Sequence, residues 1–220
     1  MRIRFLSRIA LAIAISMAAV ACAGVGPETR RPAKLRPGDR AELVPAGHCR
    51  ILGIDIRQAN IRDIESSLGQ SIFYYRGDFD LGSCYVSRDG IFLEFYVSST
   101  GIGYAVSKHL GNDAGVENCL PLAATSPDLI NEAGLGIGLS REEVRRLLGP
   151  ASRRLADSHE HQYIFWVQQK ADDTTAKKVR QEDQLPQGHE VWLNLYSVIK
   201  VFFEQDRVIG FDINTSDAFR

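Results

Sequence analysis

The sequence predicts an α+β protein made of two tandem repeats, each a short helical hairpin followed by an antiparallel β-meander. Three observations lead there. The stretch "GLSREEVRRLLGPASR" at 138–153 reads as a capped helix. "IDIRQANIRDIESSLGQS" at 54–71 has the same design. Runs of strand-forming residues, separated by turn signals, follow each of the two.

In chain order, residues 1–22 come first and read as a signal peptide. Arg2, Arg4 and Arg8 give a positive front, Ile9 to Val20 an apolar run, and Ala19-Val20-Ala21 the small residues a signal peptidase accepts. The stretch resembles a bacterial lipobox, with Ala19 where Leu is usual and Cys22 as the residue to be acylated. Cleavage after Ala21 or Ala23 without acylation is the alternative, and gives a soluble secreted protein. Both place the mature chain outside the inner membrane. Losing the leader takes the balance from 26 basic and 27 acidic residues to 23 and 27. That excess of acid gives no electrostatic case for nucleic acid. Residues 23–42 read as a linker, because Pro27, Pro32 and Pro37 keep "ETRRPAKLRPGDR" extended. Its arginines can touch anionic headgroups beside a tether.

The first repeat is placed at 43–120. Asn60 and Asp63 have capping-box spacing, Ile64 and Leu68 share an apolar stripe, and Gly69 ends the helix. Strands are expected at 72–75, 84–87, 91–97 and 102–108, with "SRDG" and "SSTG" as turns. The second repeat is placed at 121–220. "SPDLINEAG" suggests the first helix of a hairpin. Ser140 and Glu143 cap the second, Val144, Leu147 and Leu148 form its stripe, and Gly149-Pro150 stops it. Strands are expected at 162–166, 191–196, 199–204 and 207–214. The charged stretch 170–190 has no apolar period and reads as an exposed hairpin loop. One such unit is too small to cover its own sheet face, so duplication supplies a core that one copy lacks.

The segment "LINEAGLGIGLSREEVRRLLGPAS" resembles the pattern L-x-x-G-[MIL]-[ST]-x-x-[EQ]-V-x-x-L-[LF]-G-x-P of small outer-membrane lipoproteins in the β-barrel assembly machinery. The tandem arrangement is similar to that of secreted β-lactamase inhibitor proteins. The resemblance covers 127–153 best and 52–71 less well. Here Pro150 follows Gly149 directly, Ser67 stands where the second copy has Leu147, and 170–190 has no counterpart. The resemblance implies a non-enzymatic protein that binds other proteins in the cell envelope, in the periplasm and anchored to the outer membrane.

Four kinds of residue bear on chemistry. Cys49, Cys84 and Cys119 remain if Cys22 is acylated, and one structural disulfide is expected. Cys84–Cys119 would clamp the first sheet, while Cys49–Cys119 and Cys49–Cys84 stay open. A cysteine nucleophile with His48, His109 or His189 as base has no local motif behind it. "HEH" at 159–161 offers two metal ligands on one strand face, which do not close a site. The glycines of "GLGIGLS" lack the strand and lysine of a phosphate cradle, and no pattern calls for a cofactor. Tyr75, Trp166 and Trp192 lie on strands where a side chain on the open face would serve as a protein-binding anchor. The expected function is therefore non-catalytic protein binding in the envelope, as an assembly accessory or an inhibitor of a partner enzyme. A thiol- or metal-dependent enzyme and a structural lipoprotein without a tight partner are the alternatives.

Overall fold

The structure is a computed structural model. It describes residues 38–70, 73–76, 80–98, 101–109, 119–155 and 159–219; the side chains of 73–76, 80, 81, 98 and 216–219 are outside the description. The leader, Cys22 and the linker up to residue 37 also lie outside the described residues.

The described chain opens with a 3-10 turn, Ala46–Cys49, then β1 (Arg50–Ile51) and β2 (Ile54–Asp55). Helix α1 (Ile61–Leu68) precedes β3 (Phe73–Arg76), β4 (Asp80–Val86), β5 (Phe92–Ser98) and β6 (Gly101–Ser107). Next come β7 (Leu120–Pro121), a 3-10 turn at Ser126–Leu129, and α2 (Arg141–Leu148). The chain ends with β8 (Arg153–Leu155), β9 (Glu160–Lys170), α3 (Asp173–Glu182), β10 (Trp192–Glu204) and β11 (Arg207–Phe219). Apart from the small β1–β2 pair, all strands join one sheet of order β3-β4-β5-β6-β11-β10-β9-β8. Strand β7 lies beside β4 in parallel, with Tyr85 opposite Leu120. The seam is the antiparallel β6–β11 pair, where Tyr104 faces Ile213 and Val106 faces Phe211.

The expected α+β fold of two helical-hairpin units is therefore not what forms. The protein is mostly β, and among the described residues neither α1 nor α2 has a helical partner ahead of it. Before α1 stands the β1–β2 hairpin, whose turn residues Leu52 and Gly53 both have positive φ (51° and 77°). Before α2, "SPDLINEAG" makes only the 3-10 turn. Its Ile130 turns extended (φ −75°, ψ 128°). Asn131 Oδ1 then accepts from the backbone N–H groups of Ala133 (3.1 Å) and Leu135 (2.9 Å). A side chain that takes those donors locally competes with the helical ladder.

Two further expectations change. Residues 191–196 and 199–204 form one strand, because Ser197-Val198 carries no turn chemistry and both pair with β9 in a single register. Residues 173–182 are helical and not a loop. Asp172 caps the N–H of Thr175 (2.9 Å), and Ala176 and Val179 bury against Val191.

Both expected capping boxes form. Asn60 accepts from Asp63 N–H (3.2 Å) while Asp63 accepts from Asn60 N–H (2.9 Å). Ser140 and Glu143 do the same at 3.2 and 2.7 Å. The apolar sides of the two helices, Ile64, Val144 and Leu148, are 0–2 % exposed and join the core on the inner sheet face. Full burial of such side chains contributes roughly 1.5–3 kcal/mol each. Four inner-face rings cross adjacent strands in a row: Tyr85, Phe95, Tyr104 and Phe211, with neighbouring centroids 6.1–6.3 Å apart.

Above that row sits a buried polar knot. Tyr104 donates its hydroxyl to the carbonyl of His48 (2.7 Å) and accepts from Asn131 Nδ2 (3.2 Å). The His48 ring is 3 % exposed. Burial, and then the nearby Arg40 charge, lower its pKa to about 4. The unfolded chain takes a proton on His48 near the ordinary value of 6.5, which the folded chain refuses until about 4. Stability present above pH 6.5 is therefore lost as pH falls from 6.5 towards 4. The expected loss from this group is about 2–3 kcal/mol. Urea unfolding at pH 7.5 and 4.5 measures it, and His48→Gln should flatten that part of the slope.

Candidate functional site

The face of the sheet turned away from α1 and α2 carries the candidate site. Arg40 fixes which β9 groups point where. Its N–H donates to Ile164 C=O (2.9 Å) and its C=O accepts from Trp166 N–H (2.9 Å). Those even-numbered β9 residues therefore turn their backbone groups outward, away from β10. Trp166 and Tyr196, directly opposite in register, are a non-hydrogen-bonded pair. In such a pair the two side chains press closely together.

Tyr163 and Phe165 belong to the inner core, so alternation puts Trp166 on the outer face. Tyr196 lies opposite it, and Trp192 is on the same face of β10. Trp192 is 36 % and Tyr196 38 % exposed, while Trp166 is half-buried. Between them Gln168 Nε2 donates to Asn194 Oδ1 (3.1 Å). At the rim Glu190 accepts from Lys170 Nζ (2.7 Å). Lys170 first, and Trp192 more weakly, hold its carboxyl below the usual range. The result is a face on which the Trp166–Tyr196 rung and Trp192, four residues or about 13 Å along β10 from Tyr196, flank a fixed polar pair. Exposed Trp and Tyr of this kind are the residues that anchor protein interfaces.

The structure thus places Trp166 and Trp192 on one face with the Gln168–Asn194 rung between them, and leaves Tyr75 apart. Tyr75 lies on β3, the opposite end of the sheet order, in the register row of Leu81 and Val97. Its side chain is outside the description. Tyr196 is not among the anchors expected from sequence. The signal that finds it is alternation: it is four residues from Trp192 on one strand, hence on the same face. Cys84 and Cys119 form the disulfide, and Cys49 is a free, buried thiol. Burial pushes that thiol up to about 11. Cys22 lies outside the described residues.

Two other concavities are lined by charged groups. One, of about 390 Å³, lies between α2 and β8–β9, with Arg141, Arg145, Arg154 and His161 on its walls. Arg141 Nη1 donates to His161 Nε2 (3.0 Å), and its guanidinium stacks 4.4 Å from the Phe203 ring. Burial, then Arg141 and Arg154, depress the His161 pKa. His159 instead places its Nδ1 3.2 Å from Phe203 C=O. Among the described residues no three His, Cys, Asp or Glu side chains converge as a metal site. The other concavity, of about 250 Å³, opens on the outer face where Ala105 and Gly210 leave space beside Glu94 and Asp212. Tyr96 lies over Gly103 there and donates to Asp212 Oδ1 (2.7 Å).

Comparison with protein-family models, with curated proteins and with solved structures finds no significant match for the chain.

Proposed function

We propose that the chain is a non-catalytic protein-binding module of the bacterial cell envelope, exported by its leader and tethered to the membrane at Cys22. The observation that carries this reading is the outer sheet face that carries Trp166, Tyr196 and Trp192. Three large rings on one sheet face, two of them more than a third exposed, are costly to leave in water. Their polar border supplies hydrogen bonds at the rim, as interfaces require. Tyr75 is not part of this surface.

The test is site-specific photocrosslinking in intact envelopes, with the photoreactive residue at Tyr196 or, as a reference, at exposed Arg62 on α1. A discrete adduct is expected from position 196 and none from 62. Trp166→Ser with Trp192→Ser should weaken binding of the crosslinked protein at least about tenfold, with the melting temperature moved by only a few degrees. Adducts that form at 62 and not at 196 would sink the reading.

A further inference from the structure

The edge of β9 is covered unevenly. Strand β8 pairs with residues 160–162, and Arg40 forms a single parallel bridge at Phe165. From Trp166 to Lys170 no described strand lies on that side; the only ladder there is the one to β10. By the alternation that Arg40 fixes, Trp166 C=O, both backbone groups of Gln168, and Lys170 N–H point outward. No described backbone group pairs with them.

Exposed edges are usually blunted by charge, proline or a bulge. This stretch reads Val167-Gln168-Gln169-Lys170, with no proline and one charge, and Lys170 is already tied to Glu190. The open edge runs directly beside Trp166, which stands opposite Tyr196 in the β9–β10 register.

We infer that the partner binds by adding an extended strand to β9 between Trp166 and Lys170, with an apolar side chain packed beside Trp166. This rests on the protein-binding reading above and names the form its partner takes. Backbone donors and acceptors in a row select extended polypeptide, and an adjacent ring pocket selects a side chain at alternate positions. Arg40 shows that this edge accepts a parallel rung. The four outward groups can accommodate a strand of three or four residues.

The probe is a displayed library of random twelve-residue peptides, selected against the processed full chain. Selected peptides should alternate apolar and polar residues and slow hydrogen exchange at the Gln168 and Lys170 amides. Gln168→Pro removes one outward N–H without breaking the β10 ladder. It should weaken the peptides about tenfold or more, while Gln168→Ala, which keeps the N–H, should not. The exchange measurement on the unmodified chain stands even if the proline variant fails to fold. Peptides that leave both amides exchanging freely, or that bind Gln168→Pro as tightly, overturn the inference. So does a selection that yields nothing. A dimer of the chain that Gln168→Pro abolishes also overturns it, by assigning the edge to a second copy. Peptides lost on Trp192→Ala but indifferent to Gln168→Pro would remove the edge and keep the aromatic face as a binding surface.

Discussion

Tyr104→Ala is expected to destabilise the protein by about 4–6 kcal/mol, much of what a domain of this size has in total. Tyr104 is fully buried on β6, at the seam where the two runs of strands meet. Truncation removes ring contacts with Phe95 and Phe211 and leaves a void in the middle of the aromatic row. It also removes the short hydroxyl bonds to the buried His48 carbonyl and Asn131 amide, which keep only their long 3.5 Å contact with each other. A void of ring size costs about 3–5 kcal/mol, and the weakened polar contacts add about 1. Tyr104→Phe separates the two contributions, since it keeps the ring and loses only the hydroxyl, for about 1–2 kcal/mol. Urea unfolding at neutral pH reads both. Burial pushes the Tyr104 phenol far above its ordinary pKa, so the hydroxyl stays a donor across the working range. If Tyr104→Ala cost under about 1 kcal/mol, the sheet seam would not be the centre of the core.

Some of this arrangement could be read without coordinates, for a physical reason. A capping box is a local contract between residues three apart, so Asn60–Asp63 and Ser140–Glu143 are visible in the sequence and form as expected. Strand alternation is also local, which is why the runs at 91–97 and 102–108 are strands. The pairing of Cys84 with Cys119 was one of three open choices. It is decided by β7 lying beside β4, a contact no spacing rule gives. The helical hairpin ahead of α2 does not form because Asn131 takes the Ala133 and Leu135 N–H groups, and ahead of α1 residues 50–55 pair as β1–β2 instead. Helix α3 was concealed by the absence of a long apolar stripe; only Ala176 and Val179 are buried. The aromatic face is half legible. Trp166 and Trp192 are expected anchors, but their placement depends on the β9–β10 register, which brings Tyr196 opposite Trp166. The open β9 edge was not legible at all, since it depends on where β8 stops and Arg40 leaves.

Reducing the Cys84–Cys119 bond is expected to cost about 3–4 kcal/mol. The two cysteines are 35 residues apart, and closing a loop of that length removes this much entropy from the unfolded chain. The native side agrees in direction. Cys84 is fully buried against Phe92, and Cys119 immediately precedes β7, so the bond holds β7 on the edge of β4. Melting with and without reductant should differ by about 10 °C. A shift under about 2 °C would show that β7 docks without the bond and that the unfolded chain gains little freedom from reduction. Thiol titration on the same samples tests the tether as well. Cys49 is fully buried with its thiol pushed up to about 11, so the native chain with an acylated Cys22 should show no reactive thiol. Denaturant should expose one, and denaturant with reductant three, since Cys49, Cys84 and Cys119 are then all free. A native thiol that survives Cys49→Ala would be Cys22 without its acyl chain, and the lipid anchor would have to be given up. A fast native thiol that disappears with Cys49→Ala would contradict the burial of Cys49 and return the thiol-enzyme alternative to consideration.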